Sequence, residues 1–566
     1  LKRQAAETLT DRALIAVDLG ASSGDGSTTG KGSGVYLSWR LFKEDPKGIT
    51  FDVYRNSTLV KSKLAVTNWT DPTGKAGDEY SVIASSGVGS DASHPYKVTA
   101  KRHQYIELQL VKPADQTMPD GKVTTYTAND MSVADLDNDG KYELIVKWMP
   151  DNAQDNSRSG FTGTTILDAY DFDSDGSAKL MWRIDLGVNI RSGAHYTQFQ
   201  AYDMDGDGIA EIACKTADGS TAYSYNSTTG KFTETGHVGA ASVKDLPTDK
   251  RSQKYDYRND KGYILSGPEY LTVFNGKTGE IIDTTDYLPP RGDITSWGNN
   301  EGYGNRVDRF LSVTAYLDGV HPSFVFCRGY YGKSCLTAYD YAEHKLKVRW
   351  KFTTEDYKNN PTPVEAQGNH SANAIDIDGD GKDEIVYGSM VIDHGTLKYS
   401  TGLGHGDAIH VGDWIPSHPG LEIFQVHEHL DAKYNVEIHD AETGEILWGY
   451  HTGKDTGRGV AADIDPTYPG AEVWANPEWN GKDGGLYSSN TPSVNFSIYW
   501  DGDLLKELFD HTFDTANGHY QPVSTNITKW NYETKQEEKL FESSEVFTNN
   551  GTKGNPGLAA DIMGDW

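Results

Sequence analysis

The sequence predicts an all-β protein, with an eight-bladed β-propeller preceded by a fibronectin type III-like β-sandwich. Three observations support this prediction. Short runs of β-branched and aromatic residues alternate with turn signals along the chain. Long apolar stretches with the 3.6-residue period of a helix are missing. An acidic turn followed by an apolar strand recurs, as expected for an architecture built from repeats.

Two domains are expected, because 566 residues exceed what one ordinary core accommodates. Residues 1–98 predict the fibronectin type III-like module, since segments 35–39, 51–54 and 80–83 alternate in polarity between turns. Residues 99–566 predict the propeller, whose last blade is incomplete at the chain end.

Each repeat of the second domain consists of strand, loop, strand, hairpin and strand, which is the pattern of a propeller blade. Strong copies begin at Asp135, Asp203 and Asp376, and weaker ones at Asp413 and Asp463. Asn-Gly and Thr-Gly turns join the hairpins. About eight blades are expected, with starts near residues 135, 203, 308, 376, 413, 463, 525 and 561.

The three strong copies share an Asp-x-Asp-x-Asp-Gly turn followed by a glutamate, and carboxylates at this spacing suit Ca²⁺. An EF-hand loop would need an acid at position 12, where this chain has Val146, Cys214 and Tyr387. A strand follows each turn instead of a helix, so we expect calcium loops that brace the blades, and chelation should weaken the fold. The predicted ligands are Asp135, Asp137, Asp139, Glu143, Asp203, Asp205, Asp207, Glu211, Asp376, Asp378, Asp380 and Glu384.

Histidines and carboxylates also occur in loops beside the blade starts. They lie in segments 368–370, 404–407 and 427–429, and they predict a second metal site on one propeller face. The alternative for each histidine is a hydrogen-bonded loop residue. The polar loop 151–156 is either another ligand loop or a turn.

Three cations stand out in this acidic chain. Arg458 and Lys553 are flanked by glycines, which allow the backbone to approach a ligand, and Lys215 follows a blade-opening strand. The alternative for each is a solvated surface charge.

Bulk properties exclude several classes of protein. The net charge of −30 argues against nucleic acid as a partner, and no apolar run is long enough to span a membrane. The charge either keeps a secreted protein soluble or accepts an acidic polymer through metal ions. Residues 1–4 do not form a signal peptide, so a leader was removed or never present, and we expect an extracellular location. Cys327 and Cys335 could bridge a hairpin or be buried thiols; zinc spacing is missing.

Four longer motifs resemble those of rhamnogalacturonan lyases of polysaccharide lyase family 11. They occupy residues 191–199, 213–219, 297–309 and 327–331, and the likeness extends from the N-terminal module to Trp566. The resemblance implies a calcium-rich propeller as the catalytic domain. It also implies cleavage of the α-1,4 rhamnose–galacturonate bond in the rhamnogalacturonan I backbone of pectin by β-elimination, which leaves an unsaturated galacturonyl end.

The resemblance also implies roles for individual residues. Arg458 and Lys553 correspond to catalytic cations, of which the first would stabilise an enolate and the second would act as base. The implied site-calcium ligands are His370, His405, Asp407, Glu428 and Asp155. The expected substrate-binding residues are Asn152, Asn156, Asp168, Lys215, Asn550, Gly551 and Thr552. The family chain continues beyond Trp566 for roughly one blade, so a C-terminal fragment is an expected partner that completes the ring.

Two other functions compete with this one. The first is a calcium-braced adhesion propeller that only binds. The second is a non-catalytic pectin-binding module that stacks sugars on its 33 tyrosines and 13 tryptophans. Formation of an unsaturated product would exclude both.

Overall fold

The chain is all-β in the computed structural model. Two short 3₁₀ helices, Ile294–Trp297 and Thr354–Tyr357, are the helices of the described residues, and neither could span a membrane. The structure describes residues 12, 14–19, 33–42, 45–87, 89–93, 95, 97–100, 107–172, 176–240, 255–476, 479–482, 485–486, 490–500, 504–514, 521–544, 546–548 and 556–560.

The chain divides into two compact units. One comprises chiefly Leu108–Gly459 with Ala475–Pro477. The other comprises Lys2–Glu107, Val460–Trp474 and Glu478–Trp566.

Two antiparallel sheets form the N-terminal part of the second unit, one in the order β1-β2-β5 and one in the order β4-β3-β6-β7. The predicted strands at 35–39, 51–54 and 80–83 are present, and their inward side chains pack around the buried Trp39 and Tyr80. The strands are β1 (Ile15–Asp18), β2 (Val35–Ser38), β3 (Phe51–Arg55), β4 (Thr58–Leu64), β5 (Asn68–Asp71), β6 (Glu79–Ala84) and β7 (Val98–Thr99).

Seven antiparallel sheets follow one another along the rest of the described chain, numbered here sheet 1 to sheet 7. Sheets 1 to 3 begin after the short ribbon of β8 (Gln116–Thr117) and β9 (Val123–Thr124). Sheet 1 contains β10 (Tyr126–Ala134), β11 (Glu143–Pro150), β12 (Ile166–Phe172) and β13 (Ala178–Asp185). Sheet 2 contains β14 (Phe199–Tyr202), β15 (Glu211–Thr216), β18 (Tyr270–Asn275) and β19 (Ile281–Asp286). Sheet 3 contains β20 (Phe310–Ala315), β21 (Ser323–Arg328), β22 (Cys335–Ala342) and β23 (Lys345–Thr353).

Sheet 1 is extended by a hairpin of β16 (Thr221–Asn226) and β17 (Lys231–His237), in which β16 pairs with β13. The strands of sheets 4 and 5 are β24 (Asn373–Ile375), β25 (Glu384–Val386), β26 (Met390–Asp393) and β27 (Thr396–Ser400), and β28 (Ile409–Gly412), β29 (Glu422–Val426), β30 (Val436–Asp440) and β31 (Ile446–Tyr450). Those of sheets 6 and 7 are β32 (Arg458–Ala462), β33 (Glu472–Asn476), β34 (Trp479–Lys482) and β35 (Gly485–Leu486), and β36 (Phe496–Ile498), β37 (Glu507–Asp514), β38 (Gln521–Asn531) and β39 (Gln536–Ser543).

The core of the first unit lies between successive sheets. One apolar cluster joins residues of sheets 1 and 2, among them Trp182 and Phe274, and others join sheets 2 and 3, 3 and 4, and 4 and 5. The second strands are almost wholly buried, as in β11, β15 and β21. Apolar burial of this kind is the main favourable contribution to folding.

The predicted repeat starts are largely confirmed, since those near 135, 203, 308, 376, 413 and 463 each fall at the beginning of one sheet. The start predicted near 525 is wrong. Residue 525 lies inside β38, the third strand of sheet 7, where a strand–turn–strand pattern imitates a new repeat. Residue 561 lies outside the described residues.

The three cysteines are free and buried, so the second of the two predicted alternatives holds. Cys327 pairs in register with Leu336, one position away from Cys335. These thiols therefore serve as small apolar core residues.

Candidate active site and metal centres

The three acidic turns have the same geometry. Their first aspartates, Asp135, Asp203 and Asp376, accept backbone N–H groups three and five residues later, at 2.7–3.0 Å. The turn needs positive φ at its fourth and sixth residues, which are Asn138 and Gly140 in the first copy, with φ of 65° and 85°. Spacing along the chain therefore suffices to build each turn.

The predicted glutamates begin the second strands and close the turns. The side-chain oxygens of Glu143, Glu211 and Glu384 accept the backbone N–H of the turn's second residue at 2.6–2.9 Å. Burial, with the neighbouring aspartates, raises their pKa to about 7, about 8 and about 7 respectively. Each buried glutamate also lies beside the aspartates of its turn, and a divalent cation would neutralise this group of negative charges.

Each turn gathers the glutamate and two aspartates so that one oxygen from each lies within 4.8 Å of the others. Buried oxygens at Asp137 and Glu384 have no hydrogen-bond partner. These all-oxygen groups fit a hard divalent cation. The third aspartates, Asp139, Asp207 and Asp380, lie outside the groups, and each accepts the backbone N–H two residues later.

The structure brings together a second group of four predicted ligands. Donor atoms of His370, His405, Asp407 and Glu428 lie within 4.8 Å of one another. This group is called the histidine–carboxylate pocket below. His405 Nε2 is buried, has no hydrogen-bond partner and lies 3.6 Å from Glu428. Two carboxylates and an unused imidazole nitrogen fit a divalent cation.

Loops of sheets 4 and 5 position this pocket. His370 precedes β24, whereas His405 and Asp407 lie between β27 and β28, and a bridge from Asn369 to Gly406 joins the two loops. A Cβ on Gly406 would lie 2.0 Å from the carbonyl oxygen of Val426, so a side chain there would displace the loop. The His405 Nδ1 is held 2.6 Å from the Gly368 carbonyl, which leaves Nε2 directed at the pocket.

Two adjacent tyrosines connect the pocket to a histidine from another loop. The hydroxyls of Tyr330 and Tyr331 lie 3.2 and 3.1 Å from the two ring nitrogens of His370. Tyr330 also lies 3.1 Å from Nδ1 of His195. Burial raises the pKa of both tyrosines, so both remain protonated at neutral pH. The sequence motif at 327–331 contained these tyrosines without indicating their role.

Asp155 lies beside the pocket and outside its ligand group. Its carboxylate lies 3.5 Å from His195 Nε2 and 3.3 Å from the Arg309 guanidinium. In this geometry Asp155 orients His195 and Arg309 rather than completing the four-residue group.

Arg458 is the predicted cation that the structure places at the pocket. Its Nη1 lies 3.7 Å from Asp407 Oδ2, and its side chain is one quarter exposed. Nearby, burial together with the charges of Glu428 and Asp407 raises the pKa of Asp455. The pocket is thus strongly negative, with a cation at its edge.

Asp168 does not lie at a surface, contrary to the prediction that it binds substrate. It is fully buried, and its oxygens accept hydrogen bonds from Arg183, Trp148 and Tyr170 at 2.7–3.1 Å. Because all of its partners belong to sheet 1, Asp168 is an internal ion-pair residue.

Lys215 is likewise buried, and its Nζ lies 3.0 Å from Glu269. Burial lowers the pKa of Lys215, whereas Arg328, Lys215 and Arg291 together outweigh burial and lower the pKa of Glu269. Lys215 therefore belongs to an interior charge cluster, and its assignment to substrate binding is corrected accordingly.

Asn152 and Asn156 differ in their surroundings. The Asn152 amide bonds to the backbone of Phe161 and Gly163 and so shapes its own loop. The side-chain amide of Asn156 is buried without a hydrogen-bond partner among the described residues. Asn550, Gly551, Thr552 and Lys553 lie outside the described residues.

Comparison with known proteins gives consistent matches over most of the chain. The family model "Rhamnogalacturonan lyase family 11, C-terminal domain" matches residues 105–566, and "Rhamnogalacturonan I lyases beta-sheet domain" matches residues 7–99. The Bacillus subtilis (strain 168) rhamnogalacturonan exolyase YesX is 47% identical over 548 residues, covering 94% of this chain and 83% of the relative. The rhamnogalacturonan endolyase YesW of the same strain is 47% identical over 537 residues, covering 94% and 79%. The solved structure of a Bacillus licheniformis rhamnogalacturonan lyase superposes with a TM-score of 0.77 at 46% identity, covering 99% of this chain and 87% of that one.

Proposed function

The chain belongs to rhamnogalacturonan lyase family 11 and is a polysaccharide lyase, and from that premise we propose that it cleaves the α-1,4 rhamnose–galacturonate bond of rhamnogalacturonan I by calcium-assisted β-elimination. The observation that carries this proposal is the histidine–carboxylate pocket with Arg458 at its edge. β-Elimination removes the weakly acidic proton at C5 of the uronate. Calcium held by the pocket would neutralise the uronate carboxylate and make that proton more acidic.

The residues of the chain have separate tasks in this proposal. Arg458 stabilises the negative charge that develops on the uronate as the proton leaves, since its guanidinium is partly exposed beside the pocket. Tyr330 and Tyr331 hold the ring of His370 in place. Lys553 is the proposed base, with Asn550, Gly551 and Thr552 as sugar-binding residues, on the strength of their motif.

We further propose that sheets 1 to 7 are blades of a propeller within residues 99–566, and that residues 1–98 form the fibronectin type III-like module. Two features of the first unit support the propeller. The first strands of consecutive sheets, β10, β14, β20 and β24, contact one another in that order. The apolar clusters lie between successive sheets, as they do when blades pack side by side.

The acidic turns are the proposed bracing sites for calcium, in a place distinct from the chemistry. In an antiparallel sheet of four strands, the connection between the first and second strands lies at one end of the strands. The connection between the second and third strands lies at the opposite end, and so does the connection from the fourth strand to the next sheet. The turns occupy the former, and the pocket residues of sheets 4 and 5 occupy the latter.

We propose an extracellular location, because the substrate is a polymer too large to cross a membrane. Detection of the native protein in the culture medium, and not in washed cells, is the expected result.

A product assay tests the proposed activity. Purified protein is incubated with rhamnogalacturonan I and, as a matched control, with homogalacturonan, while the ultraviolet absorbance of unsaturated uronate is followed. We expect absorbance to rise with rhamnogalacturonan I and not with homogalacturonan. Mass spectrometry of the products should then show an unsaturated galacturonyl end. Binding of the polymer without new absorbance would support the binding-only alternatives and contradict the proposal.

A further inference from the structure

We propose that Arg306 binds the carboxylate of a galacturonate that flanks the bond being cleaved, and so anchors the polymer beside the histidine–carboxylate pocket. This inference rests on the proposed function, because it names a further substrate contact of the same site. In a polymer that alternates rhamnose with galacturonate, every second sugar carries a carboxylate. A binding face therefore needs cations beyond the one at the reacting sugar.

The first step of the argument is where Arg306 lies. Its guanidinium carbon is 3.8 Å from the centroid of the Tyr331 ring. The hydroxyl of that tyrosine lies 3.1 Å from His370 Nε2, and its ring centroid is 4.2 Å from that of His405. Arg306 is thus separated by one aromatic ring from two residues of the pocket.

The second step is the charge of Arg306. Among the described residues it forms no ion pair, and its Nε is buried without a hydrogen-bond partner. Arg306 is partly exposed, whereas its chain neighbours Asn305 and Val307 are buried. Arginine presents paired N–H donors that match a carboxylate, and stacking on a ring fixes the plane of that fork.

A neighbouring arginine provides the contrast. Arg309 is buried, and it donates to the backbone carbonyl and to the side-chain oxygen of Asn305 at 2.9 and 2.8 Å, with Asp155 nearby at 3.3 Å. Its donors bond to other residues of its own loop, whereas within the described part of the chain no hydrogen bond from the Arg306 guanidinium occurs. The same loop therefore holds one structural arginine and one that is available to a ligand.

The main alternative is that Arg306 only supports the Tyr331 ring. A packing role and a carboxylate-binding role differ in two measurable ways. Loss of packing would change the thermal stability or the calcium affinity of the pocket. Loss of carboxylate binding would raise KM for the polymer and make KM less dependent on salt, because surface charge attraction is screened by ions.

The test compares wild type, Arg306→Gln and Arg306→Lys, with Arg349→Gln as control. Arg349 lies on β23 and pairs with Asp340, away from the pocket. Initial rates of unsaturated-product formation are measured against rhamnogalacturonan I concentration at two salt concentrations, with melting temperature and calcium titration alongside. For Arg306→Gln we expect KM to rise about tenfold or more, with kcat within about twofold and with stability and calcium affinity unchanged. Arg306→Lys should be intermediate, and Arg349→Gln should match wild type.

A KM of Arg306→Gln within about twofold of wild type would overturn the inference, as would a raised KM that comes with weakened calcium binding. Should Arg306→Gln fail to fold, Arg306→Lys decides, and an unchanged KM overturns the inference. Should wild type form no unsaturated product, the proposed function fails on its own. Affinity electrophoresis of wild type and Arg306→Gln in gels containing the polymer then decides, with equal retardation overturning the inference.

Discussion

The two carboxylate oxygens of Asp407 face different residues, a predicted metal ligand and a predicted catalytic cation. His370 Nε2 lies 3.1 Å from one carboxylate oxygen, and Arg458 Nη1 lies 3.7 Å from the other. A carboxylate shared in this way can face a bound cation on one side and keep the arginine oriented on the other. At the scale of single residues, the proposed chemistry therefore depends on Arg458 being held near the pocket without being fully neutralised by it.

Substituting Arg458 by glutamine removes the cation and preserves side-chain size. We expect kcat to fall about 10²–10³-fold, because a preorganised group that stabilises developing charge contributes on that scale. Melting temperature and calcium affinity should stay near those of wild type, since the side chain is one quarter exposed. Steady-state kinetics check this, with Arg349→Gln as control, and near-normal kcat would remove Arg458 from the mechanism.

Asp168→Asn tests whether that residue serves the fold or the substrate. Its partner Arg183 would be left buried with no carboxylate, so we expect a loss of about 3–5 kcal/mol in the free energy of unfolding. Denaturant titration measures this change, and KM of the remaining folded enzyme should be unchanged. A raised KM at unchanged stability would restore Asp168 as a substrate-binding residue.

The different outcomes for Asp168 and the pocket residues show what a sequence conveys about single positions. Asp168 was expected to bind substrate, but strand pairing places it directly opposite Arg183 in the register of β12 and β13. The register of a hairpin is fixed by the length and type of its turn, and the polarity of single residues does not show it. His370 and Asp407 were predictable because they lie in short glycine-flanked loops, which seldom supply core residues.

At the scale of elements, the acidic turn is the unit that the sequence predicts best. All of its backbone bonds form within a few residues, so spacing alone specifies them. The two weaker copies keep its closing bond, since the carboxylates of Glu422 and Glu472 accept backbone N–H groups seven and eight residues before them. Glu507, which begins the second strand of sheet 7, accepts the backbone N–H of Trp500 in the same way. The closing glutamate thus persists where the full Asp-x-Asp-x-Asp-Gly spacing does not.

Calcium removal should weaken the fold more at pH 8 than at pH 5.5. Without metal, the raised pKa values of Glu143, Glu211 and Glu384 mean that the folded state binds more protons than the unfolded state. Its stability therefore falls as pH rises from the usual carboxyl range through about 7 to 8. Bound calcium favours the ionised carboxylates and offsets that loss.

Differential scanning calorimetry with calcium and with EDTA, at both pH values, measures this effect. The expected result is a larger calcium-dependent rise in melting temperature at pH 8. An equal or larger rise at pH 5.5 would contradict the assignment of these glutamates as ligands.

At the scale of the whole molecule, residues far apart in sequence converge because each lies in a connection at the same end of its sheet. His195 precedes the first strand of sheet 2, Tyr330 follows the second strand of sheet 3, and Glu428 follows the second strand of sheet 5. Once the strand order is known, the alternating direction of antiparallel strands places these three residues at the same end of their sheets. The sequence could not supply that order at every repeat, as the misplaced start near 525 in β38 shows.

This arrangement separates stability from chemistry. The acidic turns lie at one end of the sheets, and the pocket lies at the other. Two matched variants should therefore behave in opposite ways. Glu211→Gln should reduce the calcium-dependent rise in melting temperature and retain turnover, whereas Glu428→Gln should retain that rise and lose turnover.

The most direct test of the central claim is a calcium titration of EDTA-stripped protein, in which melting temperature and formation of unsaturated product from rhamnogalacturonan I are followed on the same samples. We predict that turnover depends on calcium and that Glu428→Gln abolishes its recovery while leaving the recovery of melting temperature intact. Turnover by metal-free protein, or by Glu428→Gln at the wild-type rate, would contradict the claim that the histidine–carboxylate pocket holds the catalytic calcium.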